Sequence, residues 1–188
     1  MGRSERTRAR LQQVALDLIA EHGFEAITVQ QISVAAGVSP MTFFRYFSTK
    51  EAVVLNDPFD PQIAAAVVAQ PGQLAPLARA CRGLRAGVGG LDLPDQQQVR
   101  QRVRILAQSP GLAAGVWANT AATQEVIAAA LAEHAPETDA RVAAAAVLGA
   151  LTVALLDWGA RDDEDTLVAC LRRALDVLDP PPAERKRA

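Results

Sequence analysis

The sequence predicts an all-α protein of about nine helices: a tight helix-turn-helix head of three helices at the N-terminus, and a longer helical body behind it. Three observations carry that expectation. Half of the 188 residues are hydrophobic while aromatics make up only 4%, and alanine, the best helix former, is abundant. No long stretch is dominated by the β-branched residues that favour strands. Apolar residues recur at three- and four-residue spacing along most of the chain.

The elements follow in order. Leu11, Val14, Ala15, Leu18 and Ile19 fall at helical spacing, so Thr7–His22 reads as the first helix, with Gly23 as its stop. Thr28 to Gln31 has the pattern of a capping box and opens a second helix that turns Ile32, Ala35 and Ala36 inward. Gly37 ends it. Ser39 caps a third helix, with Pro40 at its first position, where a missing N–H costs nothing. Ser48 to Glu51 repeats the capping-box pattern and opens a fourth helix. Pro58 and Pro61 then interrupt, because each disfavours helix on its N-terminal side. Helical patterning resumes over Gln62–Ala69, Leu74–Gly87, Asp95–Gln108, Leu112–Glu133, Thr138–Trp158 and Asp165–Leu178. The breakers between these are Pro71-Gly72, Gly89-Gly90 with Pro94, Pro110-Gly111, Pro136 and Gly159. Residues 1–55 are thus expected to form the head, 56–179 the body, and 180–188 a disordered tail.

Charge is unevenly spread. Residues 1–50 hold six Arg or Lys against four Asp or Glu, and the remainder thirteen against seventeen. Arg3, Arg6, Arg8 and Arg10 crowd the N-terminus. A basic end on an acidic body suits a protein that touches phosphate with one end, although a solvated tail has the same composition. Cys81 and Cys170 match no metal or redox spacing and lie in apolar helical patterns, as buried free thiols do. No cofactor or metal ligand set is expected. Val142–Leu156, the longest apolar run, is too short to span a bilayer and reads as a core helix, so no membrane association is expected. The N-terminus leads into a polar amphipathic helix rather than an apolar run, as expected of a cytoplasmic protein. Enzyme chemistry lacks a foothold. His22 and His134 both stand near helix ends with no motif around them, and no phosphate-binding loop appears. The acidic run Arg161–Asp165 lacks the spacing of a calcium loop and suits a helix start.

The second helix, a Gly37-Val38 turn and the third helix make a helix-turn-helix, in which the second member enters the major groove N-terminus first. The reading helix is Pro40–Phe47. Thr42 can donate or accept at a base edge, and Met41 and Pro40 can meet a thymine methyl. Arg45 and Tyr46 suit phosphate or a guanine edge, and Lys50 suits phosphate. Phe43 and Phe47, four apart, belong in the core, which sends Phe44 and Tyr46 elsewhere. A helical binding module with no affinity for DNA is the rival that this motif disfavours.

Ala35-Ala-Gly-Val-Ser-Pro-Met-Thr-Phe-Phe-Arg-Tyr-Phe-Ser-Thr-Lys-Glu51 resembles the TetR family signature A-G-V-S-x-x-x-(L/F)-Y-x-(Y/H)-F-x-(S/T)-K-E, and Gly23–Ile32 is similar to the segment that precedes it in that family. The resemblance implies a DNA-binding head on a helical ligand-binding body, dimerised through the last two helices. It also implies roles. Thr28, Val29 and Ser39 would approach the duplex around the second helix and the turn; Pro40, Met41 and Thr42 would face bases; Phe44, Arg45, Tyr46 and Lys50 would hold backbone or nearby bases. Phe44 departs from the usual tyrosine, which removes one phosphate hydrogen bond. The stretches Phe43–Phe47 and Leu55–Pro61 further resemble the mycofactocin-associated regulator branch, which implies an acyl-CoA-type effector. The expected partners are therefore a double-stranded DNA operator, a small-molecule effector and a second copy of the chain, with a repressor's response to ligand.

The body offers fewer signals. Leu167, Leu171, Leu175 and Leu178 form an apolar stripe on the last helix, and Val147, Leu151 and Leu155 continue it on the preceding one. One chain hardly hides both faces of such a pair, whereas two copies packed as a four-helix bundle would, so these seven residues are the expected dimer interface. Trp117 and Thr120, three apart on one helix, and the cation Arg104 are the expected effector contacts.

Overall fold

The computed structural model describes residues 2–55, 65–89, 96–161 and 164–181. Its helices are α1 (Arg3–His22), α2 (Val29–Ala35), α3 (Pro40–Tyr46), α4 (Lys50–Leu55), α5 (Pro76–Gly89), α6 (Gln96–Gln108), α7 (Pro110–Ala132), α8 (Glu137–Ala160) and α9 (Leu167–Leu178). Residues 65–68 are helical as well, and the described residues include no strand, so the fold is all-α. The Pro58/Pro61 break, the first residues of Gln62–Ala69, the Gly90–Pro94 break and the tail beyond Pro181 lie outside the described residues.

Backbone contacts divide the chain into two units. The first comprises Met1–Asp57, Leu93–Val116 and Gly159–Asp162; the second comprises Pro58–Asp92, Trp117–Trp158 and Asp163–Ala188.

In the first unit α1 packs against α2, α4 and α6, with α3 against α2 and α4 against α6. Leu11, Ala15, Ile19, Ile32, Phe43, Phe47 and Val53 are buried there, the inward sides of the amphipathic patterns read above. Gln12 Nε2 donates to Val53 O at 2.9 Å and ties α1 to α4. Gly159 corrects the expectation of a helix break. It lies inside α8, which runs on to Ala160, and a Cβ there would stand 2.8 Å from the carbonyl carbon and oxygen of Val103. The glycine is needed because the last turn of α8 meets the backbone of α6, not because the helix stops.

In the second unit α9 packs on α5, burying Leu167, Cys170, Leu171 and Leu175. Arg85 of α5 closes the far end of α9. Its guanidinium donates to Asp176 Oδ1 at 3.0 Å, Asp179 Oδ2 at 2.9 Å and the carbonyls of Leu175 and Asp179, supplying the hydrogen bonds that a helix C-terminus lacks. Thr166, rather than the acidic run before it, caps α9, accepting from Ala169 N at 3.1 Å. Arg79 is buried and donates to the carbonyls of Gln70, Val68 and Ala130 at 3.2, 3.3 and 2.9 Å. Trp158, wholly buried, donates Nε1 to Asp165 O at 2.8 Å and fixes the approach to α9.

α8 is longer than its apolar run suggested. By length and composition its 24 residues suffice to cross a membrane, with a window of mean hydropathy 1.8, but 44% of that window is buried in the protein. Ala140, Ala144, Val147 and Leu151 line its inward side, as in a core helix.

Candidate nucleic-acid interface

Local chemistry sets the helix-turn-helix. Thr28 Oγ1 accepts from Gln31 N at 3.2 Å, and Gln31 Oε1 accepts from Thr28 N at 2.8 Å, the reciprocal capping box that starts α2. The turn closes through Gly37 N to Val34 O at 3.0 Å and Val38 N to Ser33 O at 2.9 Å. Gly37 adopts φ +66°, a conformation that a side chain would resist. Ser39 Oγ then accepts from Thr42 N at 3.1 Å and starts α3. The fourth helix differs from expectation at its cap. Thr49, not Ser48, accepts from the third helical N–H, that of Ala52, at 3.1 Å.

α3 sorts its side chains sharply. Phe43 and Phe47 are buried, with ring centroids 5.7 Å apart. Met41 is 84% and Phe44 54% exposed, with Arg45 exposed and Pro40, Thr42 and Tyr46 partly so. Arg45 stacks its guanidinium over the Tyr46 ring at 5.2 Å. The Tyr46 phenol lies against α1, where hydrogen bonding to Ser4, then to Arg45 and Thr7, lowers its pKa. The hydroxyls of Ser39 and Thr42 are 3.1 Å apart and bond to each other. Thr28 is exposed and Val29 partly so at the start of α2.

Lys50 departs from a simple phosphate contact. Its ammonium donates to Phe24 O at 2.8 Å and Ile27 O at 3.0 Å, and sits 4.1 Å from the centroid of the Phe24 ring. It joins the start of α4 to the loop between α1 and α2.

Among the N-terminal arginines, Arg8 lies over Phe47 at 5.3 Å. Arg6 and Arg10, one helical turn apart, flank a groove of about 360 Å³ floored by Leu11, Ala36 and Val38. No carboxylate lines it, and the Arg10 guanidinium reaches the turn beside Gly37. The crowding of arginines at positions 3 to 10 was the sequence signal for this surface; which two face the turn depends on how α1 docks.

The effector and dimer residues fare differently. Thr120 spends its hydroxyl on Trp117 O at 2.7 Å. Trp117 is 45% exposed and lies beside Gly149 of α8. Arg104 belongs to α6, in the first unit. Of the expected dimer stripe, Val147, Leu151, Leu167, Leu171 and Leu175 are buried within the single chain, and Leu155 and Leu178 partly so. On α8 and α9 the large apolar side chains left exposed are Val142, Val153 and Val177, and Val68, Trp117 and Val126 are exposed elsewhere in the second unit. Val142, Ala145, Gly149 and Val153 share one side of α8. His22 Nε2 lies 3.7 Å from the Glu21 carboxylate, and His134 lies against Gly72. Burial, chiefly, raises the Cys81 thiol pKa to about 11, so it stays protonated at neutral pH.

Known proteins share this arrangement. A family profile described as bacterial regulatory proteins, tetR family, matches residues 11–56, and one described as MftR C-terminal domain matches residues 74–182. A Mycobacterium tuberculosis protein described as a mycofactocin biosynthesis transcriptional regulator, MftR, is 30% identical over 182 residues, covering 94% of this chain and 91% of its own. Among solved structures, NalD, the secondary repressor of a multidrug efflux pump in Pseudomonas aeruginosa, superposes with a TM-score of 0.58 at 20% identity, covering 93% of this chain and 94% of its own. Thermus thermophilus FadR, a repressor solved with lauroyl-CoA, superposes with a TM-score of 0.52 at 21% identity, covering 91% and 92%.

Proposed function

The chain belongs to the TetR family of bacterial transcriptional regulators, and on that premise we propose that it is a cytoplasmic, homodimeric repressor released from its operator by a small effector of the acyl-CoA type. It is a DNA-binding regulator and not an enzyme. The observation that carries the reading is α3, a capped helix that turns Phe43 and Phe47 inward and offers Met41, Phe44 and Arg45 to a partner. A helix set by a glycine turn in this way places its first residues at base edges in the major groove.

Pro40, Met41 and Thr42 then face bases, and Thr28, Val29 and Ser39 approach the adjoining strand. Phe44, Arg45 and Tyr46 flank them. Arg6 and Arg10 extend the interface along the phosphates. Lys50 has three N–H donors, two of them given to carbonyls, which leaves one for a phosphate. Residues 1–55 are the DNA-binding part and 56–179 the effector-binding and dimerising part. The partner copy meets the exposed side of α8, at Val142, Ala145, Gly149 and Val153, together with Val177. The effector class rests on the resemblance of Phe43–Phe47 and Leu55–Pro61 to the mycofactocin-associated branch, and half-exposed Trp117 is the side chain to test against it first.

The test begins with selection of bound duplexes from a random pool. Acyl-CoAs of several chain lengths are then titrated with and without the selected operator. An inducer lowers operator affinity, and the operator must lower inducer affinity by the same factor. Failure to enrich any duplex would remove the regulator reading. A ligand bound tightly but equally in both cases is not the inducer.

A further inference from the structure

We propose that the outward face of α3 reads thymine, through its C5-methyl group, with Met41 and Phe44 as the residues that sense it. The inference rests on the DNA-binding reading above and names the base chemistry that α3 recognises. Met41 and Phe44 are three apart on the helix and share a face; they are 84% and 54% exposed, while their neighbours Phe43 and Phe47 are buried. Phe44 is held in place by an edge-to-face contact with Phe43, centroids 5.5 Å apart. The most outward positions of the reading helix are therefore apolar.

Each base presents a different edge in the major groove. Adenine is read by Asn or Gln and cytosine by Asp or Glu; residues 39–47 contain none of these. Guanine is read by Arg or Lys, and Arg45 alone is available for it on α3. The hydroxyls of Ser39 and Thr42 bond to each other, and a hydroxyl that both donates and accepts singles out no base. What remains for Met41 and Phe44 is the one apolar feature of the major groove, the thymine methyl. Burying that methyl against thioether and ring gains about as much as burying one methylene, a factor of about four in affinity. The specificity that follows is a half-site with thymine where Met41 and Phe44 touch.

Deoxyuridine keeps thymine's pairing and hydrogen-bonding edge but lacks the methyl. In the selected operator, each thymine is replaced singly by deoxyuridine, and the affinities of the wild-type chain, Met41→Ala and Phe44→Ala are measured at one salt concentration. The wild type should lose about fourfold at one or two positions per half-site. Met41→Ala or Phe44→Ala should lose a similar factor on the thymine duplex and little further on the matching deoxyuridine duplex. Both side chains are exposed, so the variants should keep the circular dichroism of the parent. If the wild type binds operators containing deoxyuridine at every position as tightly as the thymine operator, thymine reading is wrong and the regulator reading stands. If the penalty persists undiminished in both variants, another residue senses the methyl. If no duplex binds specifically, both readings fall together.

Discussion

Lys50→Met separates two roles that the sequence alone would merge. The substitution keeps the length of the side chain and removes its charge. It deletes the bonds to Phe24 O and Ile27 O and the interaction with the Phe24 ring. Hydrogen bonds from a charged donor contribute about 1.5–3 kcal/mol each, and an exposed cation–π pair about 0.5–1 kcal/mol. Lys50 is only partly buried, so the lower ends apply, and water can re-bond the carbonyls once the ammonium is gone. A net loss of about 2 kcal/mol is expected, a factor of about 30 in the local opening equilibrium. Amide exchange of α1, α2 and α4 should accelerate by that factor, while exchange in α9 stays unchanged. Tryptophan emission is blind to the change, because Trp117 and Trp158 both belong to the second unit. Under conditions where the variant is folded, the salt dependence of operator binding reports the remaining N–H: taking one phosphate-binding cation from each head lowers the slope by about 0.9 per head. Unchanged exchange with a reduced slope would refute the structural role and leave a plain phosphate-binding lysine.

Gly159→Ala would press a Cβ to 2.8 Å from the Val103 backbone, and overpacking of that kind costs about 1–3 kcal/mol; a urea midpoint equal to wild type would show that α6 and α8 separate freely there. Val153→Glu should yield folded monomers in sedimentation, because Val153 is 58% exposed in the single chain, whereas Leu171→Glu should unfold the chain by burying an unpaired carboxylate; a stable dimer of the Val153 variant would exclude that side of α8. Burial raises the Cys81 thiol pKa from 9.0 to about 11. The native state thus holds a proton that the unfolded chain releases first, and stability should fall as pH rises from about 9 to about 11, an effect that Cys81→Ala removes; identical pH profiles for both chains would show the thiol to be solvated.

The head was legible because its signals are local. Thr28, Gly37 and Ser39 each act through bonds to residues within five positions, so spacing alone foretells the turn and the start of α3. Phe43 and Phe47 declared themselves as core by their spacing of four. Lys50 did not declare its partners, because Phe24 and Ile27 lie more than twenty residues away and nothing in a lysine's type tells a carbonyl from a phosphate. Gly159 misled for a related reason. A glycine near a helix end looks like a stop, and only the approach of Val103 reveals that it makes room for another backbone.

The expected dimer stripe was harder to read, because burial within one chain and burial between two copies leave the same sequence pattern. α8 is apolar nearly all round, so its sequence carries no phase. On α9 the stripe through Leu167, Leu171 and Leu175 does carry one, and extending it to Val147, Leu151 and Leu155 assumed that the clearest apolar face must be the one shared between copies. A chain satisfies its own core first. The clearest stripe of α9 is spent on α5, and Val147 and Leu151 are buried within the single chain. The side of α8 proposed above for a second copy is one that an amphipathic reading would discard: Val142 and Val153 are exposed, with Ala145 and Gly149 between them. The Trp117 ring stands beside Gly149 on that side, so a second copy meeting it would pack on the indole as well as on α8.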